Sequence, residues 1–147
     1  MKTILLILIG VSSLMASNFT RNVGGVVTDS RTNLEWQDDS SDNSNSLKQA
    51  KWQNAIDYCE NLNLDGKSDW RLPNLNELTS LVDDRRTSPA IDTIFQNTNP
   101  DFYWSYWSST TSPDDKNDAW IVDFMYGRQD GNNKDDSNPV RCVREGQ

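Results

Sequence analysis

The sequence predicts an α+β domain with two main helices, a small antiparallel sheet, long loops and one disulfide. Three observations predict it. The first half carries two apolar stripes at helical spacing, each behind a capping signal. The segments after residue 101 are aromatic-rich and alternate in the manner of strands. Two cysteines, Cys59 and Cys142, stand far apart in the chain.

The chain of 147 residues opens with MKTILLILIGVSSLMAS, which reads as a secretory signal over residues 1–17. Lys2 is the charged start, residues 4–9 are the apolar run, and Ser12, Ser13, Ala16 and Ser17 are small residues suited to cleavage. That run falls short of the roughly 20 residues that cross a bilayer. Cleavage is expected after Ala16 or Ser17, with Ser13 as the alternative. No cysteine lies near the cut, so no lipid attachment is expected, and residues 18–147 are expected to form a single domain. Loss of Lys2 takes 14 Lys and Arg to 13, against 22 Asp and Glu, for a net charge of −9. Such a surface repels polyanions, so neither nucleic acid nor an anionic membrane is an expected partner. No later segment is apolar enough to span a membrane. An even cysteine count in an exported chain favours one disulfide, with two free thiols as the alternative.

In the mature chain, VVTDSRTNLEW reads as a hairpin: Val26 and Val27 lead in, residues 29–33 turn, and Leu34 and Trp36 return. The polar run DDSSDNSNS, residues 38–46, reads as a mobile surface loop. Ser46 with Gln49 forms a capping box that starts a helix carrying Trp52, Ala55, Ile56 and Cys59 on one stripe. In DWRLPNLNEL, Pro73 holds Leu72 out of helical angles and Asn74 caps the next helix with Glu77 as its partner. Leu75, Leu78, Leu81 and Val82 form the buried stripe, with Trp70 and Leu72 packed beneath. Arg71 lies between those two in extended chain and points the other way. It is expected to pin the segment through a carboxylate or backbone carbonyls rather than to meet a ligand. Ser88 and Pro89 read as the cap and first residue of one or two helical turns anchored by Ile91, Ile94 and Phe95. FYWSYWSST, DAWIVDFMYG and PVRCVRE read as strands, separated by the acidic loops SPDDKNDA and GRQDGNNKDDSNP. In the second strand Trp120, Val122, Phe124 and Tyr126 share a face.

Taken together, the VTDSRTNLEW hairpin, WQNAIDYCENL, DWRLPNLNEL, PAIDTIF, YWSSTT, AWIVDF and the closing VRCVR resemble a bacterial family. It is the domain found at the C-terminus of the Legionella collagen-like adhesin, and the resemblance runs from Val26 to Arg144. It implies a C-type-lectin-like fold, similar also to the formylglycine-generating enzyme, and a Cys59–Cys142 pair. The chain departs from the family pattern at the hairpin, where Asn33 replaces the usual Gly; Asn also tolerates left-handed angles. It has no collagen-like Gly-X-Y segment. The adhesin binds sulfated glycosaminoglycans, a property this acidic chain could share only through a local basic patch, and Arg85 with Arg86 is the one adjacent basic pair.

Histidine is absent, which removes the commonest general base and zinc ligand and excludes Ser-His and Cys-His schemes. The adjacent pairs Asp83/Asp84 and Asp114/Asp115 do not supply two carboxylates set across a glycosidic bond. Catalysis is not expected. For a cation, the loop DGNNKDDSN offers oxygen ligands of the kind Ca²⁺ takes, with Asp130, Asn132, Asp135 and Asp136 as the candidate set, alongside Asn133 and Asn138. The spacing is not that of an EF-hand, and an ordinary solvated acidic loop is the competing reading. For a glycan, Trp104 and Tyr106 are the candidate stacking residues, with Trp107 assigned to the core. The expected function is an exported, secreted or periplasmic, non-enzymatic module that binds a glycan or envelope surface ligand. The alternative is a structural or protein-interaction component of the envelope without a small ligand.

Overall fold

The computed structural model describes residues 17–39, 48–98 and 105–147. Of the expected signal segment, only Ser17 falls among them. In chain order the elements are β1 Phe19–Arg21, β2 Val26–Asp29, β3 Leu34–Gln37, β4 Gln49–Ala50, α1 Trp52–Glu60, α2 Leu75–Thr79, β5 Ser105–Thr111, β6 Asp118–Asp123, β7 Arg128–Asn133, β8 Asn138–Pro139 and β9 Val143–Glu145. They form three antiparallel sheets, ordered β1-β2-β3-β9, β4-β8 and β5-β6-β7.

The hairpin forms as its residues dictate. Val27 pairs with Trp36 and Asp29 with Leu34. The Asp29 carboxylate accepts from the Arg31 N–H and the Thr32 hydroxyl, each at 2.9 Å. Asn33 takes the left-handed conformation, φ 58°, that lets the turn close without glycine.

Two apolar clusters fill the interior. The first holds Val26, Ala55, Cys59, Trp70, Leu72, Trp107, Ile121 and Cys142 under α1. The second holds Val27, Trp36, Leu78, Leu81, Phe95, Tyr106, Val122 and Val143 under α2. Neighbouring residues divide between them: Val26 from Val27, Tyr106 from Trp107, Ile121 from Val122, Cys142 from Val143. Successive strand side chains point to opposite faces. The strands therefore separate two cores and are buried on both sides. The Cys59–Cys142 disulfide, spanning 83 residues, ties α1 to the chain just ahead of β9.

The two-helix, C-type-lectin-like architecture is not what the chain adopts. It is mostly β, with helices of nine and five residues only among the described residues. Each shortening has a cause. The expected capping box at Ser46 and Gln49 does not start α1: Gln49 and Ala50 pair with Pro139 and Asn138, and Lys51 caps the helix without a side-chain bond. The turns expected from Ser88 are not helical either. The Ser88 and Ala90 amides bond the Met125 and Phe124 carbonyls, and Ile91 bridges to Val82. In both places a segment from the second half of the chain, β8 in one case and the turn after β6 in the other, takes the backbone groups that a helix would use. Asp38, placed at the head of a mobile loop, is fully buried; residues 40–47 lie outside the described residues. The expected loop at 128–133 is strand β7.

At α2 the local rules hold. Asn74 Oδ1 accepts from the Glu77 N–H at 2.9 Å, and Glu77 Oε2 accepts from the Asn74 N–H at 2.8 Å. Arg71 grips Glu77 with both Nη atoms at 2.8 Å and reaches Glu145 at 2.9 Å. Its backbone exchanges two bonds with Val143 at 2.9 Å. Arg71 thus pins the capping glutamate to β9, as its position suggested.

A second charged centre joins remote segments. Arg141, fully buried, donates from Nη1 to Gln37 O at 2.6 Å and Asp38 Oδ1 at 3.1 Å, and from Nη2 to Asn97 O at 2.9 Å. Asp38 also receives Arg21 Nε at 2.8 Å and the Gln96 and Asn97 amides at 2.9 and 3.1 Å.

Removing one partner of a buried ion pair leaves an uncompensated charge and costs about 3–5 kcal/mol. Asp38→Ala is expected to lower the unfolding free energy by that much in urea melts. Asp38→Leu combined with Arg141→Met is expected to cost less than the single change. A separate effect arises at Glu77. Burial raises its carboxyl pKa, but the Arg71 fork and the Asn74 amide outweigh this and hold it below the ordinary glutamate range. A depressed pKa stabilises the fold above the unfolded value, and that stability is lost as pH falls through the folded one. Glu77→Gln is expected to flatten the thermal stability profile below roughly pH 4.

Candidate functional site

Among the described residues lies an open groove of about 650 Å³. Three remote segments line it: residues 18–19 entering β1, with Ser17 of the expected signal segment at their edge, Arg31 in the hairpin turn, and residues 80–85 behind α2, with Asp92 closing one side. Their convergence has local causes. The Asn18 carbonyl accepts from the Ser30 amide at 2.8 Å and hydroxyl at 3.0 Å, so the entering chain lies along the hairpin turn. Arg31 Nη2 donates to Ser80 O at 3.1 Å, tying that turn to the end of α2. Phe19 packs edge-on to Phe95 at 5.5 Å, which places Asp92 beside Ser17. Ser17 Oγ donates to Asp92 Oδ2 at 3.3 Å, and Asp92 Oδ1 accepts the Ile94 amide at 2.9 Å.

The rim is charged but largely self-paired. Arg85 grips Asp83 through Nε at 2.9 Å and Nη2 at 3.1 Å. That contact holds the Asp83 carboxyl below, and the Arg85 guanidinium above, their usual ranges. With Asp84 and Asp92 also on the rim, the groove offers carboxylate acceptors, a guanidinium edge at Arg31 and the apolar side of Phe19. This set can bind hydroxyl-bearing or cationic groups. In the Arg85/Arg86 pair, Asp83 occupies Nε and Nη2 of Arg85.

The residues picked out in the sequence lie elsewhere. Tyr106 is 1% exposed, edge-on to Phe124 at 5.4 Å and under the Arg141 guanidinium, so it is a core residue and not a stacking surface. Trp104 lies outside the described residues. Trp107 is core as assigned. Asp130 and Asn132 sit on the exposed strand β7, while Asp135 and Asp136 lie in the turn that follows. Asp135 approaches Lys51 at 3.4 Å, and Asn138 is buried in β8. Among the described residues no three acidic or thiol groups are spaced to hold a metal ion. Cys59 and Cys142 are paired with each other, as the resemblance implied. Sequence reading missed the groove because residues 17, 31, 83 and 92 carry no shared motif. The one local signal is Arg31 inside the hairpin turn.

These features define a disulfide-stapled, mostly β scaffold with an open groove at one edge. A family model described as the Lcl C-terminal domain matches residues 25–144. The chain belongs to that family and is an adhesin-related module. Family and disulfide are both consistent with an extracellular or envelope location. No curated protein matches the chain.

On these charges, the protein is expected to pass through a heparin column at physiological ionic strength. Asp83→Asn combined with Asp84→Asn, which frees Arg85 and removes two charges, is expected to raise the salt needed for elution.

Proposed function

We propose that the chain is an exported, non-enzymatic binding module that takes a glycan or another cell-envelope surface ligand in the groove between the hairpin turn and residues 80–92. The observation that carries this reading is the groove. At about 650 Å³ it lies within the roughly 300–1,000 Å³ common for small-ligand sites. It combines acceptors and donors held by hydrogen bonds with an aromatic side chain. Carboxylates bond sugar hydroxyls as acceptors, and an aromatic flank suits the apolar face of a pyranose. The lack of any histidine and the use of both cysteines in a disulfide favour binding over nucleophilic catalysis.

A glycan array, probed with and without Ca²⁺, tests this. Specific glycans are expected to bind, and Asp92→Asn, which keeps an acceptor for Ile94 but removes the charge, is expected to weaken them. Blank spots throughout would overturn the glycan reading.

A further inference from the structure

Trp120 belongs to neither apolar cluster, although it sits in the middle strand of its sheet. It is only partly buried. Three other tryptophans donate from Nε1 to carbonyls: Trp52 to Ser108, Trp70 to Lys67 and Trp107 to Ala50. Trp120 has no such bond, and no ring or cation partner, among the described residues. A large amphipathic side chain left in this way on a sheet face calls for a reason.

The residue opposite supplies a second observation. Trp120 pairs with Gly131 on β7. Glycine inside a strand weakens it and often marks a close approach by a ligand or another backbone. Nothing in the backbone demands it here, since Gly131 is not among the positive-φ positions. A Cβ there would meet only Asp118, at 3.9 and 4.0 Å, which is ordinary contact. The fold has room for a side chain, and its lack leaves no side chain directly across the strand pair from the partly buried indole. The same face carries Asp118 paired with Asn133, whose Nδ2 donates to Asp118 Oδ1 at 3.4 Å. It also carries Gln129, whose Nε2 donates to Thr79 Oγ1 at 3.0 Å. Its strand residues thus offer one carboxylate, two carboxamides and no cation.

We propose that this face of β6 and β7 is a saccharide-stacking site for an unsulfated hexopyranose. Trp120 takes the apolar C–H side of the ring, and Asp118, Asn133 and Gln129 take hydroxyls at its edge. The lone carboxylate disfavours sulfated sugars. The site stands apart from the groove and does not depend on it.

The test is an NMR titration of the full chain, following tryptophan indole N–H signals, with chitotetraose, cellotetraose and laminaritetraose. A heparin tetrasaccharide is the sulfated counter-probe, and Trp120→Phe assigns the signal. The Trp120 signal is expected to move with at least one uncharged tetraose and to stay still with heparin. Trp120→Ala is expected to weaken binding about tenfold or more. Gly131→Leu, which fills the open side, is expected to abolish it with an unchanged unfolding midpoint. Asp92→Asn is expected to leave the shift intact. An indole signal that ignores every uncharged probe, moves with heparin alone, persists undiminished in Gly131→Leu or vanishes in Asp92→Asn overturns the proposal.

Discussion

A guanidinium without solvent sets the terms for much of this fold. Arg141 cannot keep its charge inside the protein unless each face and most of its N–H groups are covered. The cover comes from four places: Gln37 and Asp38 at the end of β3, the Asn97 carbonyl, and the rings of Phe95 and Tyr106, whose centroids lie 4.7 and 5.5 Å away. Asp38 must be neutralised in turn, so it gathers Arg21 from β1 and two amides from residues 96 and 97. One buried charge thereby fixes β1, the end of β3, residues 95–97 and the approach to β9 against one another. Of the charges described, Arg141 and Asp38 are the pair for which burial leaves no alternative to this arrangement.

The consequences reach the surface. Phe95, held under Arg141, carries Phe19 on its edge, and between them they set the spacing of residues 17–19 and Asp92 across the groove. Arg71 and Glu77 do similar work at the other wall, locking the start of α2 to β9 so that residues 80–85 emerge at a fixed place. The groove rim can then be polar and open, because its geometry is held from inside. The face of β6 and β7 is organised differently. Its rigidity comes from sheet pairing, with the first cluster behind β6 and the second packed on the same face at Val122; further along that face a partly exposed tryptophan lies beside a glycine.

Much of the chain could be read locally. The hairpin at residues 26–37, the Asn74–Glu77 capping box and the Arg71–Glu77 fork depend on residues close in sequence, and the structure reproduces them. The misreadings share one physical origin. Gln49, Ser88 and Ala90 sit where local signals favour helix, yet each gives its backbone to a segment 34 or more residues away. Tyr106 looked like a surface aromatic because alternation was taken to mean one wet face. With a core on both sides of β5 and β6, both sets of alternating residues are buried, and alternation no longer separates inside from outside. Asp38 looked solvated because it heads a polar run, and its partners at 21, 96, 97 and 141 are distant in sequence.

Near-neighbour spacing thus determined the turn and the cap, while the resemblance carried the cysteine pair and the family. The turn and the cap follow from bonds between residues a few positions apart. Long-range pairing settled how much helix survives, which aromatics are buried and where the groove and the Trp120 face lie. Backbone groups and buried charges take whichever partner satisfies them most fully, and in this chain that partner repeatedly lies far along the sequence.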